Sequence, residues 1–116
     1  MPHGLANAIL LDAVIRFNAF KNSETEQKYA EMARICGIAS RSDSNETAVR
    51  LLRGRITFMM EHMQMPQTLT AAGVAKEKVH AKMDEIATNA LKDACLPTSP
   101  TTPTHQELKE ILEQII

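Results

Sequence analysis

The polar and apolar positions of the chain fall into five helical stretches, and no convincing strand pattern is present. From Leu5 to Phe17 the chain reads LANAILLDAVIRF, with only Asn7, Asp12 and Arg16 polar. A helix that is apolar nearly all round is normally buried on most sides. At the start of a small domain this predicts a missing neighbour in front of it. Asn18 to Lys21 is expected to end this helix. Ser23 and Glu26 then have the spacing of a capping box. Tyr29, Met32, Ala33 and Cys36 follow on one helical face, and Gly37 is placed to stop that helix in the left-handed conformation.

After the polar loop Ala39 to Asn45, a third helix is expected from Glu46 to Met63. Its apolar stripe is Ala48, Leu52, Ile56, Met59, Met60 and Met63. Gly54 costs about 1 kcal/mol against alanine inside a helix, and close packing of a neighbouring helix is one reason for it. Pro66 closes the segment, and Thr68 to Gly73 fits a short turn. Val79, Met83, Ile86, Ala87, Ala90 and Leu91 mark a fourth helix. Pro97 to Pro103 reads as a stiff, extended connector. Thr104 and Glu107 form a second capping box, and Leu108, Ile111, Leu112 and Ile115 make the apolar face of the last helix. The fold class expected is therefore all-α, a bundle of about five main helices.

Composition narrows the function. A chain of 116 residues is the size of one domain. A net charge of -1 exerts no pull toward nucleic acid or an anionic membrane. Phe17, Phe20, Phe58 and Tyr29 are the only aromatic side chains, too few for a base-stacking platform. No apolar run approaches the roughly 18 residues needed to span a bilayer, and no secretory signal pattern opens the chain. Cys36 and Cys95 lack metal-type spacing and sit in apolar patterns, so reduced, core-like thiols and a cytoplasmic location are expected.

Some residues carry chemistry by type alone, and most read as ordinary surface. His62, Met63 and Met65 supply no closed ligand set for a soft metal. His80 and His105 have exposed-looking neighbours. Arg50, Arg53 and Arg55 read as a solvated basic face, neutralised by nearby acids. Asp84 with Glu85, and Glu110 with Glu113, show no defensible paired-carboxylate geometry.

The opening words differ. Pro2-His3-Gly4-Leu5-Ala6-Asn7-Ala8-Ile9-Leu10-Leu11, followed by Arg16-Phe17-Asn18, resemble a signature of the iron-containing alcohol dehydrogenases. Lys28 to Ala33, Met65-Pro66 with Leu69 and Ala72-Gly73-Val74, Ala90 to Cys95, Thr98-Ser99-Pro100, and Glu107-Leu108 with Ile111-Leu112 resemble later blocks of that family, in order along the chain. The resemblance implies the C-terminal helical domain of such enzymes, with the dehydroquinate synthase-like fold. Residues 1–116 are then a metal-binding helical domain lacking the α/β nicotinamide-cofactor domain.

By the same resemblance, His3 is one of three histidines that join an aspartate around a divalent metal, Fe(II) or Zn. The other ligands are expected upstream, which makes Met1 an internal methionine or an added start. Residue chemistry alone reads a histidine so near the chain start as a frayed surface side chain. Pro2 stiffens its approach, and Gly4 permits close backbone contact. The family counterpart of the Cys95 block lines the substrate pocket, so Cys95 is expected near the alcohol or, equally, as a buried small hydrophobe. Two departures from the family pattern stand out. Asp12 takes a place usually held by proline, which predicts a straighter first helix. Ser99 and Thr101 replace the family's usual asparagine and arginine.

The parent enzyme implied is a metal-dependent NAD(P) alcohol dehydrogenase acting on a small alcohol or aldehyde. No phosphate-cradling glycine run exists here, so the chain alone is expected to bind no cofactor and to be inactive. The competing expectation is a free-standing helical interaction module. In either case the apolar first helix is expected to drive homo-oligomerisation.

Overall fold

A computed structural model describes residues 1–116. Five α-helices and one short 3₁₀ turn follow in order: α1 (His3–Lys21), α2 (Ser23–Ile35), α3 (Asn45–His62), α4 (Lys76–Leu91), the turn Leu96–Thr98, and α5 (His105–Gln114). There is no strand, as the periodicity predicts. No helix is long and apolar enough to cross a membrane.

α1 is the organising element. Its N-terminal half sends Ile9 and Ala13 against Ile111 of the last helix and Ile115 just past its end, with Leu69 and Ala72 of the intervening turn alongside. Its C-terminal half sends Ile15 and Ala19 against Ala30, Ala33, Ala48 and Val49 of α2 and α3. Ala30, Ala33 and Ala48 are completely buried. Their small side chains let the two helices approach closely, and larger ones would hold them apart. α4 packs on α5, with Val79, Met83 and Ala87 on its buried side.

The molecule measures 45 × 33 × 19 Å. Its short dimension is about two helix diameters. A slab that thin has little interior, which is why only 17 of 116 residues are buried and none of the large side chains is fully so.

Helix ends show where side-chain chemistry overrode the pattern. α1 ends at Lys21, within the expected stretch from Asn18 to Lys21. The cap of α2 is Asn22, whose side chain accepts from the Thr25 N–H, so Ser23 lies inside the helix and the expected Ser23–Glu26 box does not form. Asn caps as well as Ser does, and one residue of shift is enough to change the partner. The Gly37 stop is borne out: φ is +74°, and the N–H groups of Ile38 and Gly37 donate to the carbonyls of Ala33 and Arg34. Gln64 closes α3 the same way at φ +56°, with Met65 and Gln64 donating to Met60 and Glu61. The Thr104–Glu107 box forms as expected.

The connector is only partly extended, because Leu96 to Thr98 curls into the 3₁₀ turn. Met59 and Met63, placed on the α3 stripe by periodicity, are exposed instead, as is Ile86 on α4. Gly54 has nothing within 4 Å of the point a Cβ would occupy, so no neighbouring helix of this chain requires it.

Candidate metal and substrate site

His3 is the first residue of α1, entered through Pro2 at φ -60° and ψ 141°. Proline prefers that extended conformation, and it commits the chain to helix from the next residue on. The imidazole is exposed. Its hydrogen-bond partner is Asn7, one helical turn on, with the amide nitrogen 3.1 Å from Nε2. An amide N–H can only donate, so the ring nitrogen accepts as placed. Gly4 faces open space, so the close approach it permits is not used within this chain.

No three His, Cys, Asp or Glu side chains converge anywhere in the structure. At His3 the chain therefore offers a divalent metal a single accessible imidazole, a suitable donor for iron or zinc. It does not offer the three or four donors that a resident metal needs.

Cys95 lies outside any helix, in the turn after α4, and its thiol is exposed. Its N–H donates to Asp93 Oδ1 at 2.7 Å, and its carbonyl accepts from Thr98 Oγ1 at 2.6 Å. The buried small-hydrophobe reading is thus overturned. Cys36 is exposed as well, because it is the C-cap of α2, beyond the last packed turn.

Sequence reasoning missed Asn18. It is only 6% exposed. Its Oδ1 accepts from Thr101 Oγ1 at 3.0 Å, and its Nδ2 lies 3.5 Å from the Tyr29 hydroxyl. Thr101 thus has a definite task in this chain: it fastens the late loop to α1 from 83 residues away. The available signal was a polar residue continuing the apolar pattern of the first helix.

The basic face is not uniformly solvated. Arg53 reaches across from α3 to grip Asp12 with two hydrogen bonds of 2.8 and 3.1 Å. α1 passes through position 12 as one uninterrupted helix of 19 residues. His80 is exposed, as expected, and His105 half-buried, and both lie at the α4–α5 seam. His80 Nε2 is 2.7 Å from Glu113 Oε1, and His105 Nε2 is 3.2 Å from the Asp84 carbonyl oxygen.

A groove of about 740 Å³ is lined by residues of α1, α2, α3 and α5. Its wall holds Arg16, Lys21, Arg50 and Arg53 against Glu26, Glu46, Glu107 and Glu110, and contains neither His3 nor Cys95. Balanced charge leaves it no bias toward an anionic ligand.

The family description "Fe-containing alcohol dehydrogenase family, C-terminal" matches residues 1–116, the full length of the chain. The chain belongs to the iron-containing alcohol dehydrogenases. Within that family it is 30% identical to the 1-propanol dehydrogenase of Salmonella typhimurium, covering 100% of this chain and 31% of that protein. It is 34% identical to the NADPH-dependent butanol dehydrogenase of Clostridium saccharobutylicum, over 97% of this chain and 28% of that protein. A solved 1,3-propanediol oxidoreductase superposes with a TM-score of 0.86 at 31% identity, covering all of this chain and 28% of that one. The chain thus spans under a third of the length of these iron-containing relatives.

Proposed function

We propose that this chain is the metal-ligating helical part of a metal-dependent NAD(P) alcohol dehydrogenase that interconverts small primary alcohols or diols and their aldehydes. The observation that carries the reading is His3. Within the block Pro2-His3-Gly4-Leu5-Ala6-Asn7, its imidazole stands at the head of a 19-residue helix, open to solvent and hydrogen-bonded to Asn7. A ligand set on a stiff element holds its geometry better than one on a loop. The names of the relatives point the same way, since they act on 1-propanol, on butanol and on 1,3-propanediol.

In this reading His3 donates one nitrogen to a ferrous or zinc ion, residues outside this chain supply the other ligands, and an α/β domain outside it supplies the nicotinamide site. When bound, the metal supplies Lewis acidity toward the alcohol oxygen, and the nicotinamide exchanges the hydride. Asn7 orients the imidazole from one turn away. Cys95 lies beside the alcohol with an accessible thiol, and the Asn18–Thr101 bond holds the loop that follows it.

The test is made in the complete polypeptide that contains this chain. His3→Ala should remove most bound metal and most alcohol-dependent nicotinamide reduction while leaving helical content unchanged. Full activity in that variant would mean that the ligand is misassigned. Residues 1–116 alone should bind metal negligibly and show no turnover, because one imidazole gives no chelate. Nicotinamide reduction by the isolated chain would refute that.

A further inference from the structure

Gly54 lies in the middle of an 18-residue helix, on its outer side, where glycine is about 1 kcal/mol worse than alanine and nothing in the chain needs the space. Around it the surface is not ordinary. At roughly 100° per residue, Thr47, Arg50, Leu51, Phe58 and Glu61 all fall within about 60° of Gly54 on the same face.

Leu51 is 41% exposed and Phe58 55%. Phe58 is already held in place. The Arg55 guanidinium lies 5.5 Å from its ring centroid, and the His62 ring stacks 6.1 Å away at 11°. Cys36, Leu51, Gly54 and Phe58 line an open groove of about 610 Å³ between the end of α2 and this face. Arg50 and Glu61 make no ion pair within the chain, although Arg53, Arg34 and Arg41 all do.

We infer that this face of α3 is a self-association surface, on which the α3 of a second copy crosses antiparallel with Gly54 at the two-fold axis. Glycine at a crossing point lets two helix backbones approach where any side chain would separate them. A two-fold contact must be self-complementary, and the charges meet that condition. At about 1.5 Å per residue, Arg50 lies about 6 Å before Gly54 and Glu61 about 10 Å after it. Antiparallel pairing brings the partner's Glu61 within about 4 Å of Arg50 along the axis, and symmetry makes the pair twice. Phe58 then faces the partner's Arg50 and Leu51. A preordered aromatic and unpaired arginines are the residue types that carry interface energy.

α1 offers no comparable surface. Its exposed apolar residues, Leu11 and Phe20, point to opposite sides of the helix, because nine residues amount to about two and a half turns.

The test is sedimentation equilibrium of the full chain, with thermal melts read by circular dichroism to verify folding. The wild-type chain should show a reversible monomer–dimer equilibrium in the micromolar range. Gly54→Leu and Phe58→Asp should each weaken it at least about tenfold without lowering the melting temperature of the monomer, since both positions are exposed. Arg50→Glu and Glu61→Arg should each weaken it about threefold or more, and combining them should restore the wild-type constant to within about twofold. A monomer at every concentration, a dimer indifferent to Gly54→Leu and Phe58→Asp, or a charge swap that fails to restore association would each overturn the inference.

Discussion

Arg53 holds Asp12 with two parallel hydrogen bonds, from Nε to Oδ1 at 2.8 Å and from Nη2 to Oδ2 at 3.1 Å. The pair joins α3 to the middle of α1, and both side chains are about one-third exposed, at 28% and 37%. Bidentate geometry makes such a pair stronger than a point-charge contact, while partial exposure and salt screen it. The coupling energy from a double-mutant cycle of Asp12→Ala and Arg53→Ala should be about 1 kcal/mol, falling in high salt. A coupling of zero would show that the two helices do not rely on the pair.

Asn18 ties three elements together from a buried position. Asn18→Ala leaves the Thr101 hydroxyl without its acceptor, and should destabilise the chain by about 1–3 kcal/mol. It should also free the segment from Pro97 to Pro103 first, because Thr101 is that segment's side-chain anchor to α1. Limited proteolysis should detect faster cleavage there before any loss of helix signal. Unchanged cleavage would remove the anchor role.

Acid should loosen the α1–α5 contact. Lys21, 2.6 Å from Glu107, and the backbone N–H of Thr104 both hold the Glu107 carboxyl below its usual range. Lys109 does the same for Asp84 between α4 and α5, and Arg41 for Glu31. A group whose folded-state pKa is lowered binds its proton more readily when unfolded. Its contribution is therefore present above the unfolded pKa and is lost as pH falls through the folded one. The melting temperature should decline below the ordinary carboxylate range, and Glu107→Gln should flatten that decline. An acid limb of the same steepness in the variant would assign it to other carboxylates.

Two helix stops of the same geometry carry different residues, Gly37 at φ +74° and Gln64 at φ +56°. Left-handed backbone costs a non-glycine residue about 1 kcal/mol. Gly37→Ala should therefore lose about 1 kcal/mol, and Gln64→Gly should gain a similar amount in chemical denaturation. Opposite signs are the expected result; equal signs would mean that the unfolded chain dominates both changes.

Helix number, most of the apolar stripes, one helix start and one stop were legible from the residues because they depend on neighbours three and four positions apart. The Thr104–Glu107 box and the Gly37 cap are such local arrangements, and both are in the structure. The Ser23 box failed by one position because Asn22 competes for the same N–H groups, and cap propensities of Asn and Ser are nearly equal. Cys36 was assigned to the core by its register, yet it falls just past the last turn that packs. Met59 and Met63 kept the stripe's spacing, but the slab is too thin to cover them.

Family membership was already present in the order of short blocks from Pro2 to Leu112, and the place of His3 at the head of a helix follows from Pro2 and the apolar run behind it. What only the tertiary structure decided are the long-range polar ties: Asp12 with Arg53, Asn18 with Thr101, Lys21 with Glu107, and Arg34 with the Asp43 carbonyl and Asn45. Apolar periodicity encodes which side of a helix is buried, since burial acts on each residue wherever its neighbours come from. A directional hydrogen bond needs two particular atoms brought within about 3 Å, and spacing along the chain holds no record of that distance.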